Sequence, residues 1–306
     1  MELVIVGSVA YDDLATDAGE AEGALGGSAT YAGLSAAFHS RLRDPNMGGP
    51  VPVGLVGVVG DDFRVGDWEM LESRGLDLSG IERAEGSTFR WRGRYHGSMD
   101  EAETLETQLN VFGEFEPKIP AGWTSPEVLF CGNIHPAIQA AVLDSCTEAK
   151  FTALDSMNLW IEIQRAALEQ VVAQTDLLFL NDAEALAFTG AASLDAAGAA
   201  LLTAGPRFVV IKRGAKGATL FHADGNARIP AHPARQFIDP TGAGDTFAGA
   251  ACGWLAERNL DANNLVEALH HGAALASATV EGLGTTALLA LTAEGAKQRR
   301  AALTKR

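Results

Sequence analysis

The chain has 306 residues, enough for one large domain or two ordinary ones, and 47% hydrophobic beside 20% charged residues supports a real core. A formal net charge of −16 argues against nucleic acid as a partner, because binding a phosphate backbone takes Lys and Arg, and equally against an anionic membrane surface. Three cysteines, Cys131, Cys146 and Cys252, form no CxxC pair, so buried thiols in a reducing compartment are expected instead of a disulfide frame or a zinc site.

The N-terminus opens directly on a strand, Leu3–Val6, without a basic-then-apolar leader, and no apolar run reaches membrane-spanning length; a cytoplasmic protein is expected. Further strands are expected over Val53–Val58, Val128–Phe130, Phe151–Leu154, Leu177–Leu180 and Phe208–Ile211, with helical patterns over Ile138–Lys150, Ile161–Gln174 and Leu194–Leu202. This alternation predicts an α/β fold: a mainly parallel, doubly wound sheet covered by helices on both faces. The strands end in Gly7-Ser8, Gly132-Asn133, Asp155, Asn181 and Lys212-Arg213-Gly214. Ligands of open α/β sheets bind beyond the carboxyl ends of strands, so these residues are expected to share one crevice. Gly48-Gly49-Pro50 reads as a loop. One stretch breaks the pattern. Phe89 to Tyr95 alternates with period two, with Phe89, Trp91 and Tyr95 on one face and Arg90, Arg92 and Arg94 on the other. After the turn at His96-Gly97-Ser98-Met99-Asp100, Thr104–Phe112 alternates again, which makes a β-hairpin. A hairpin alone is marginal and needs further strands or a partner.

Several polar positions stand where chemistry is expected. Asp12 lies just past the first strand; a carboxylate accepts two hydroxyl hydrogens at once, which suits a vicinal diol, and a plain turn residue is the competing reading. Asp13 beside it leaves a one-residue ambiguity, with Asp12 favoured. Gly26-Gly27 ahead of a helix lets the chain approach a ligand closely. Asp61 or Asp62 reads as the cap of the next helix. At Asn181-Asp182-Ala183-Glu184, simple capping competes with a hold on Mg²⁺, which takes few protein groups beside waters and phosphate oxygens. Lys212 and Arg213 either balance phosphate charge or lie solvated. His270 and His271 point about a hundred degrees apart on a helix and do not easily share an ion.

The most informative stretch is Asp239-Pro240-Thr241-Gly242-Ala243-Gly244-Asp245-Thr246, at a strand-to-helix turn before a helix over Thr246–Arg258. Its glycines allow a tight turn whose N–H groups converge, and the helix start favours an anion. Asp245 would repel a resting phosphate. It makes sense as a base beside a charge that develops during reaction, such as a phosphoryl group in transit. The competing reading is a capped turn.

The octapeptide closely resembles the signature of the ribokinase-like (PfkB) carbohydrate kinase family, and the likeness runs from Gly7 to Thr285. The resemblance implies one ribokinase-like α/β domain over 1–306, with a small β-sheet lid from roughly 12–26 and 84–113 that closes over the sugar and often also forms a dimer contact; a homodimer through the lid is expected. It implies Asp245 as catalytic base and the amides of Gly242, Ala243 and Gly244 as the anion hole. It places substrate contacts on Asp12, Gly26, Gly27, Ser28 and Tyr31, and ATP contacts on Lys212, Gly214, Gly217, Thr241 and His271. It assigns the Mg²⁺/phosphate motif to Asn181 and Glu184, and it likens Gly282-Leu283-Gly284-Thr285 with Asp239 to a monovalent-cation loop for K⁺. Two departures stand out: the Arg usual after Asp155 is missing, and Tyr31 replaces the usual Asn. The second points away from ribose itself, because a ring trades a bidentate polar contact for stacking area. The activity implied is ATP-dependent phosphorylation of a hydroxyl on a small sugar. The alternative is a nucleoside kinase of the same fold, with Tyr31, Phe89, Trp91 and Tyr95 available to stack on a base. A catalytically silent sugar-binding regulator is disfavoured by the intact Asp245 and anion hole. No Gly-x-x-x-x-Gly-Lys-Ser/Thr is present, which excludes a P-loop enzyme, and the missing third glycine disfavours a dinucleotide fold.

Overall fold

The computed structural model describes residues 1–41, 52–97 and 102–304. Along the chain run β1 (Leu3–Val6), β2 (Ala10–Thr16), β3 (Gly19–Gly26), α1 (Ser28–Arg41), β4 (Val53–Val59), α2 (Val65–Ser73), β5 (Leu76–Arg83), β6 (Phe89–Arg94), β7 (Glu103–Gln108) and β8 (Val128–Cys131). Then follow α3 (Pro136–Ser145), β9 (Thr152–Asp155), α4 (Asn158–Ile163), α5 (Arg165–Val172), β10 (Leu177–Asn181), α6 (Asp182–Thr189), α7 (Leu194–Thr203), β11 (Phe208–Lys212), β12 (Ala218–His222) and β13 (Gly225–Ile229). Four helices close the chain: α8 (Ala243–Leu255), α9 (Ala262–Thr279), α10 (Thr286–Ala290) and α11 (Ala293–Leu303). The loop expected at Gly48-Gly49-Pro50 and the hairpin tip at Ser98-Met99-Asp100 lie outside the described residues.

The large sheet has the order β13-β12-β11-β10-β9-β8-β1-β4-β5, parallel from β11 to β5 with β12 and β13 antiparallel. β1, β4 and β8 carry only apolar residues and glycine because both faces are covered. Leu3, Ile5, Phe130, Phe179 and Val210 face one core with α1, α8 and α9, while Val4, Val6, Leu129, Leu178 and Val209 face the other with α3, α5 and α7. The chain winds outward from β1 in both directions, so the strand order reverses between β1 and β8, and a ligand crevice is expected there. Ser28 fills that point: a Cβ on Gly7, after β1, or on Gly132, after β8, would come within 2.5 or 2.9 Å of its Oγ. Close packing also sets α8. Gly249 and Gly253 rest on α1, where a Cβ would come within 2.3 Å of Ala32 Cα and 2.7 Å of Ala36 Cα. The expected helix over Ile161–Gln174 is two helices, because Gln164 leaves helical geometry at φ −133°.

The hairpin finds its further strands in β2 and β3, giving a second sheet of order β3-β2-β6-β7. β7 ends at Gln108 because Asn110 adopts a left-handed φ of 48° and donates from Nδ2 to the Thr88 carbonyl at 2.9 Å. Phe112 then stacks between Phe89 and Phe115, at 5.2 and 5.7 Å. Neither Asp61 nor Asp62 caps α2, which follows Arg64 without a side-chain cap. Asp62 Oδ1 instead accepts from the N–H and hydroxyl of Thr88, both at 2.7 Å, and Asp61 accepts from the Gly86 N–H, so the pair ties the loop after β4 to the start of β6. Among the described residues no single helix is long and apolar enough to cross a membrane.

Candidate active site

The anion loop precedes α8. Gly242 is the N-cap at φ 70°, and a Cβ there would come within 2.3 Å of the Tyr31 ring, so the position demands glycine on two counts. The Ala243 N–H donates to the Pro240 carbonyl at 3.1 Å, which closes the turn. The amides of Gly242 and Gly244 have no backbone partner among the described residues and are the donors left for an anion. Of the three amides read as the hole, Ala243 is therefore already engaged. The loop is clamped from behind by Asp239, which accepts from Thr241 N–H at 2.9 Å and Gly284 N–H at 2.8 Å. The clamp joins the octapeptide to the 282–285 loop.

β9, β10 and β11 are neighbours, and their last residues bring Asp155, Asn181 and Lys212 to one edge. Lys212 Nζ donates to Asp155 Oδ2 at 2.7 Å, with side chains 18% and 4% exposed. It also lies beside the anion loop, 3.2 Å from where a Cβ of Gly244 would stand. Lys212 is thus neither solvated nor free; burial alone would lower its ammonium, but Asp155 and Glu184 outweigh that and raise it, keeping it charged. Arg213 sits in the tight turn to β12, where its N–H donates to the Gly217 carbonyl at 2.7 Å. Gly214 and Gly217 take φ 51° and 84° in that turn, and Gly214 has open space above it.

Asp245, in the first turn of α8, is half-buried and lies within the electrostatic reach of Asp155 and Lys212. Burial and then Asp155 push its carboxyl up to about 7, with Lys212 working the other way. Across the crevice Asp12 is 4% exposed, and burial followed by Asp239, Asp245 and Asp13 pushes it up to about 8. Asp13 turns to the opposite face of β2, where it accepts from Gly23 N–H and pairs with Arg92. Asp12, not Asp13, therefore shares the field of Asp245.

Gly26 lies under the Asp12 carboxylate, which would be 2.0 Å from a Cβ, and Gly27 rests against the Ser8 carbonyl at φ 94°. Ser28 and Ser8 bond reciprocally, each N–H to the other's hydroxyl at 3.1 and 3.0 Å, so the Ser28 side chain pins the loop. Tyr31 is 1% exposed with its ring against Gly242, and its hydroxyl has no hydrogen-bond partner among the described residues. Its face is not open to stacking. Tyr95, at the end of β6, does reach the anion loop: Thr241 Oγ1 donates to Tyr95 Oη at 3.1 Å. His271 pairs with Glu267 at 3.6 Å and stacks on Trp254 at 5.7 Å; neither partner belongs to the anion loop.

Asn181 and Glu184 form a capping box on α6: Asn181 Oδ1 accepts from Glu184 N–H at 2.8 Å, and Glu184 Oε2 accepts from Asn181 N–H at 2.7 Å. Glu184 keeps one oxygen outside the box, and burial pushes it up to about 7. Among the described residues no group of three or more His, Cys, Asp or Glu is placed to hold a metal, so a divalent ion here would depend on waters and phosphate oxygens. The residues least visible in the sequence are Asp155 as the partner of Lys212 and Tyr95 as the partner of Thr241; the usable signal was that both strand ends and the octapeptide point into one crevice.

Comparison with known proteins identifies the family and the fold. Residues 46–291 match the pfkB family carbohydrate kinase. Cytidine kinase of Thermococcus kodakarensis is 32% identical over 256 residues, covering 81% of this chain and 86% of that protein. Among solved structures, the nucleoside kinase of Methanocaldococcus jannaschii superposes with a TM-score of 0.76 at 19% identity, covering 99% of both chains. That of Burkholderia thailandensis, in complex with ADP-inosine, gives 0.79 at 17% over 99% and 96%. The ribokinase of Arabidopsis thaliana, complexed with ribose and ATP, gives 0.75 at 20% over 97% and 98%. The chain belongs to the pfkB family of carbohydrate kinases, phosphotransferases that use an alcohol as acceptor.

Proposed function

We propose that the protein is an ATP-dependent kinase that phosphorylates a hydroxyl of a nucleoside, with Asp245 as the base. The observation that carries the kinase chemistry is the position of Asp245 beside the unengaged amides of Gly242 and Gly244, with the Lys212 ammonium alongside. A hydroxyl held against Asp245 loses its proton as it attacks, while the amides and Lys212 meet the charge gathering on the γ-phosphoryl group. Asp12 orients the acceptor's neighbouring hydroxyls. Asn181 and Glu184 would hold Mg²⁺, which would supply neutralisation of the phosphate charge, and the loop clamped by Asp239 would hold K⁺. The second sheet acts as a lid that excludes water from the transfer. Residues 12–26 and 84–113 thus serve as an insertion in a single domain over 1–306. Leu105 and Leu109, 41% and 51% exposed on and beside β7, suit a lid-to-lid homodimer, and three buried thiols suit the cytoplasm.

Sequence motifs alone favour a small sugar as acceptor. The likeness to a cytidine kinase over most of the chain moves that preference to a nucleoside. The test is ADP release with cytidine, adenosine, inosine, ribose and fructose as acceptors. Turnover of at least one nucleoside at lower concentration than either sugar is expected. Turnover of free sugars alone overturns the acceptor assignment, and no acceptor-dependent ADP release with the whole panel overturns the kinase reading.

A further inference from the structure

Four rings were available to a base by sequence, and three are occupied. Tyr31 lies under Gly242, Tyr95 is 8% exposed with its hydroxyl on Thr241, and Phe89 stacks on Phe112. Trp91 differs. The parallel register of β2 and β6 sets Trp91 opposite Asp12, and side chains opposite each other on adjacent strands share a face. Two contacts fix which face that is. Tyr95, continuing the alternation of Trp91, reaches the anion loop; Arg92 points the other way, to Asp13 at 3.4 Å and Glu106 at 3.9 Å.

The indole is also held in place. A Cβ on Gly93 would lie 2.0 Å from its benzo ring, so the ring is laid along the sheet over the missing side chain. Its Nε1 donates to Thr104 Oγ1 on β7 at 3.3 Å, and Thr104 stands opposite Gly93 in the register. Among the described residues no other ring or guanidinium stacks on it, and it remains partly exposed. Adjacent strands lie about 4.8 Å apart. A base one bond beyond a sugar ring held at Asp12 therefore has the neighbouring strand, and Trp91 on it, within reach.

We infer that Trp91, laid over Gly93 and tethered to Thr104, is the platform on which the acceptor's base lies, and so the residue that separates nucleosides from free sugars. This rests on the nucleoside-kinase reading. Stacking on an aromatic side chain is tolerant of base identity, because every base has a π-face, so the platform selects for a base and not for one base.

The experiment compares Trp91→Ala, Trp91→Leu and Trp91→Phe with the unsubstituted protein, using the nucleoside that it turns over best. Trp91→Ala and Trp91→Leu are expected to raise the nucleoside KM by roughly 10- to 100-fold, with kcat and the KM for ATP within about twofold; Trp91→Phe restores most of the loss because it restores a ring. A merely structural ring would lower thermal stability and raise both KM values together, and Leu would substitute for it as well as Phe. A nucleoside KM within about twofold in folded Trp91→Leu overturns the platform, as does equal loss with Phe. Failure of the underlying reading looks different: the unsubstituted protein then turns over free sugars and no nucleoside, before any variant is compared.

Discussion

Thr241 Oγ1 and Tyr95 Oη stand 3.1 Å apart, and this bond joins the end of β6 to the glycine loop that precedes α8. Burial pushes the Tyr95 phenol up to about 12, reinforced by Asp239, Asp12 and Asp245 against the opposing Thr241 bond, so it stays neutral through the working range. Tyr95→Phe removes one neutral hydrogen bond, about 1 kcal/mol. The expected result is a loss of roughly fivefold in kcat/KM for the acceptor, with a rise in ADP release that yields no phosphorylated product. Parallel measurement of ADP and phosphorylated acceptor checks it. Unchanged coupling would mean that the small sheet and the anion loop work independently.

Asp245→Asn should lower kcat by about 10²- to 10⁴-fold, the usual range for a positioned base, with the affinity for ATP within a few-fold. The unsubstituted enzyme should lose activity as pH falls through about 7, because Asp245 must be ionised to take a proton and burial with Asp155 holds it there. A pH profile of kcat/KM reads this directly. An acid limb near pH 4 would place the base elsewhere.

The strands of the large sheet were legible because each is a short β-branched or aromatic run ending in a glycine or polar residue, and all six expected runs are strands. Local grammar also reached the capping box of Asn181 and Glu184. What it missed depends on strand order and on distant loops. Position before a helix makes Asp61 or Asp62 the expected cap, yet the partners of Asp62 are Thr88, just ahead of β6, and Arg90 on it. Tyr31 looked like an open ring in a glycine loop, but Gly242, far along the chain, closes over it. Asp155 and Lys212 meet because β9 and β11 flank β10, a relation that no spacing in the sequence encodes.

That pair supports a double-substitution test. Removing one partner of a buried ion pair leaves the other charge uncompensated, at about 3–5 kcal/mol, whereas replacing both with apolar residues is often neutral. Lys212→Met should therefore lower Tm and abolish most activity. Lys212→Met combined with Asp155→Leu should recover much of the Tm and none of the activity, because the ammonium beside Gly244 is still missing. Thermal melts and kcat measured on the same samples separate the two contributions. Recovery of kcat in the double variant would remove Lys212 from the phosphate path.

Asp12 provides a test of stability that is independent of turnover. Its carboxyl is pushed from 3.8 to about 8 by burial, then by Asp239, Asp245 and Asp13. A carboxyl whose folded value lies above its unfolded one holds its proton more tightly in the folded protein, so its contribution is fully present below about pH 4 and is lost as pH rises through about 8. Asp245 and Glu184, both pushed up to about 7, carry the same sign. The unsubstituted protein should therefore melt lower at pH 8.5 than at pH 6. Asp12→Asn keeps the shape, removes the charge and should raise Tm at pH 8.5 by roughly 2–6 °C, since each pKa unit is about 1.4 kcal/mol and only part of the shift is recovered. At pH 6 the folded Asp12 is protonated while the unfolded carboxyl is ionised, so the gain should fall to about half and vanish only near pH 4; acceptor affinity should fall at pH 8.5, where an amide accepts at one oxygen and the ionised carboxylate at two. A Tm gain of equal size at pH 6 and pH 8.5 would mean that the aspartate is not the group titrating, and the crowded carboxylates of the crevice would then have to be relieved by some other proton.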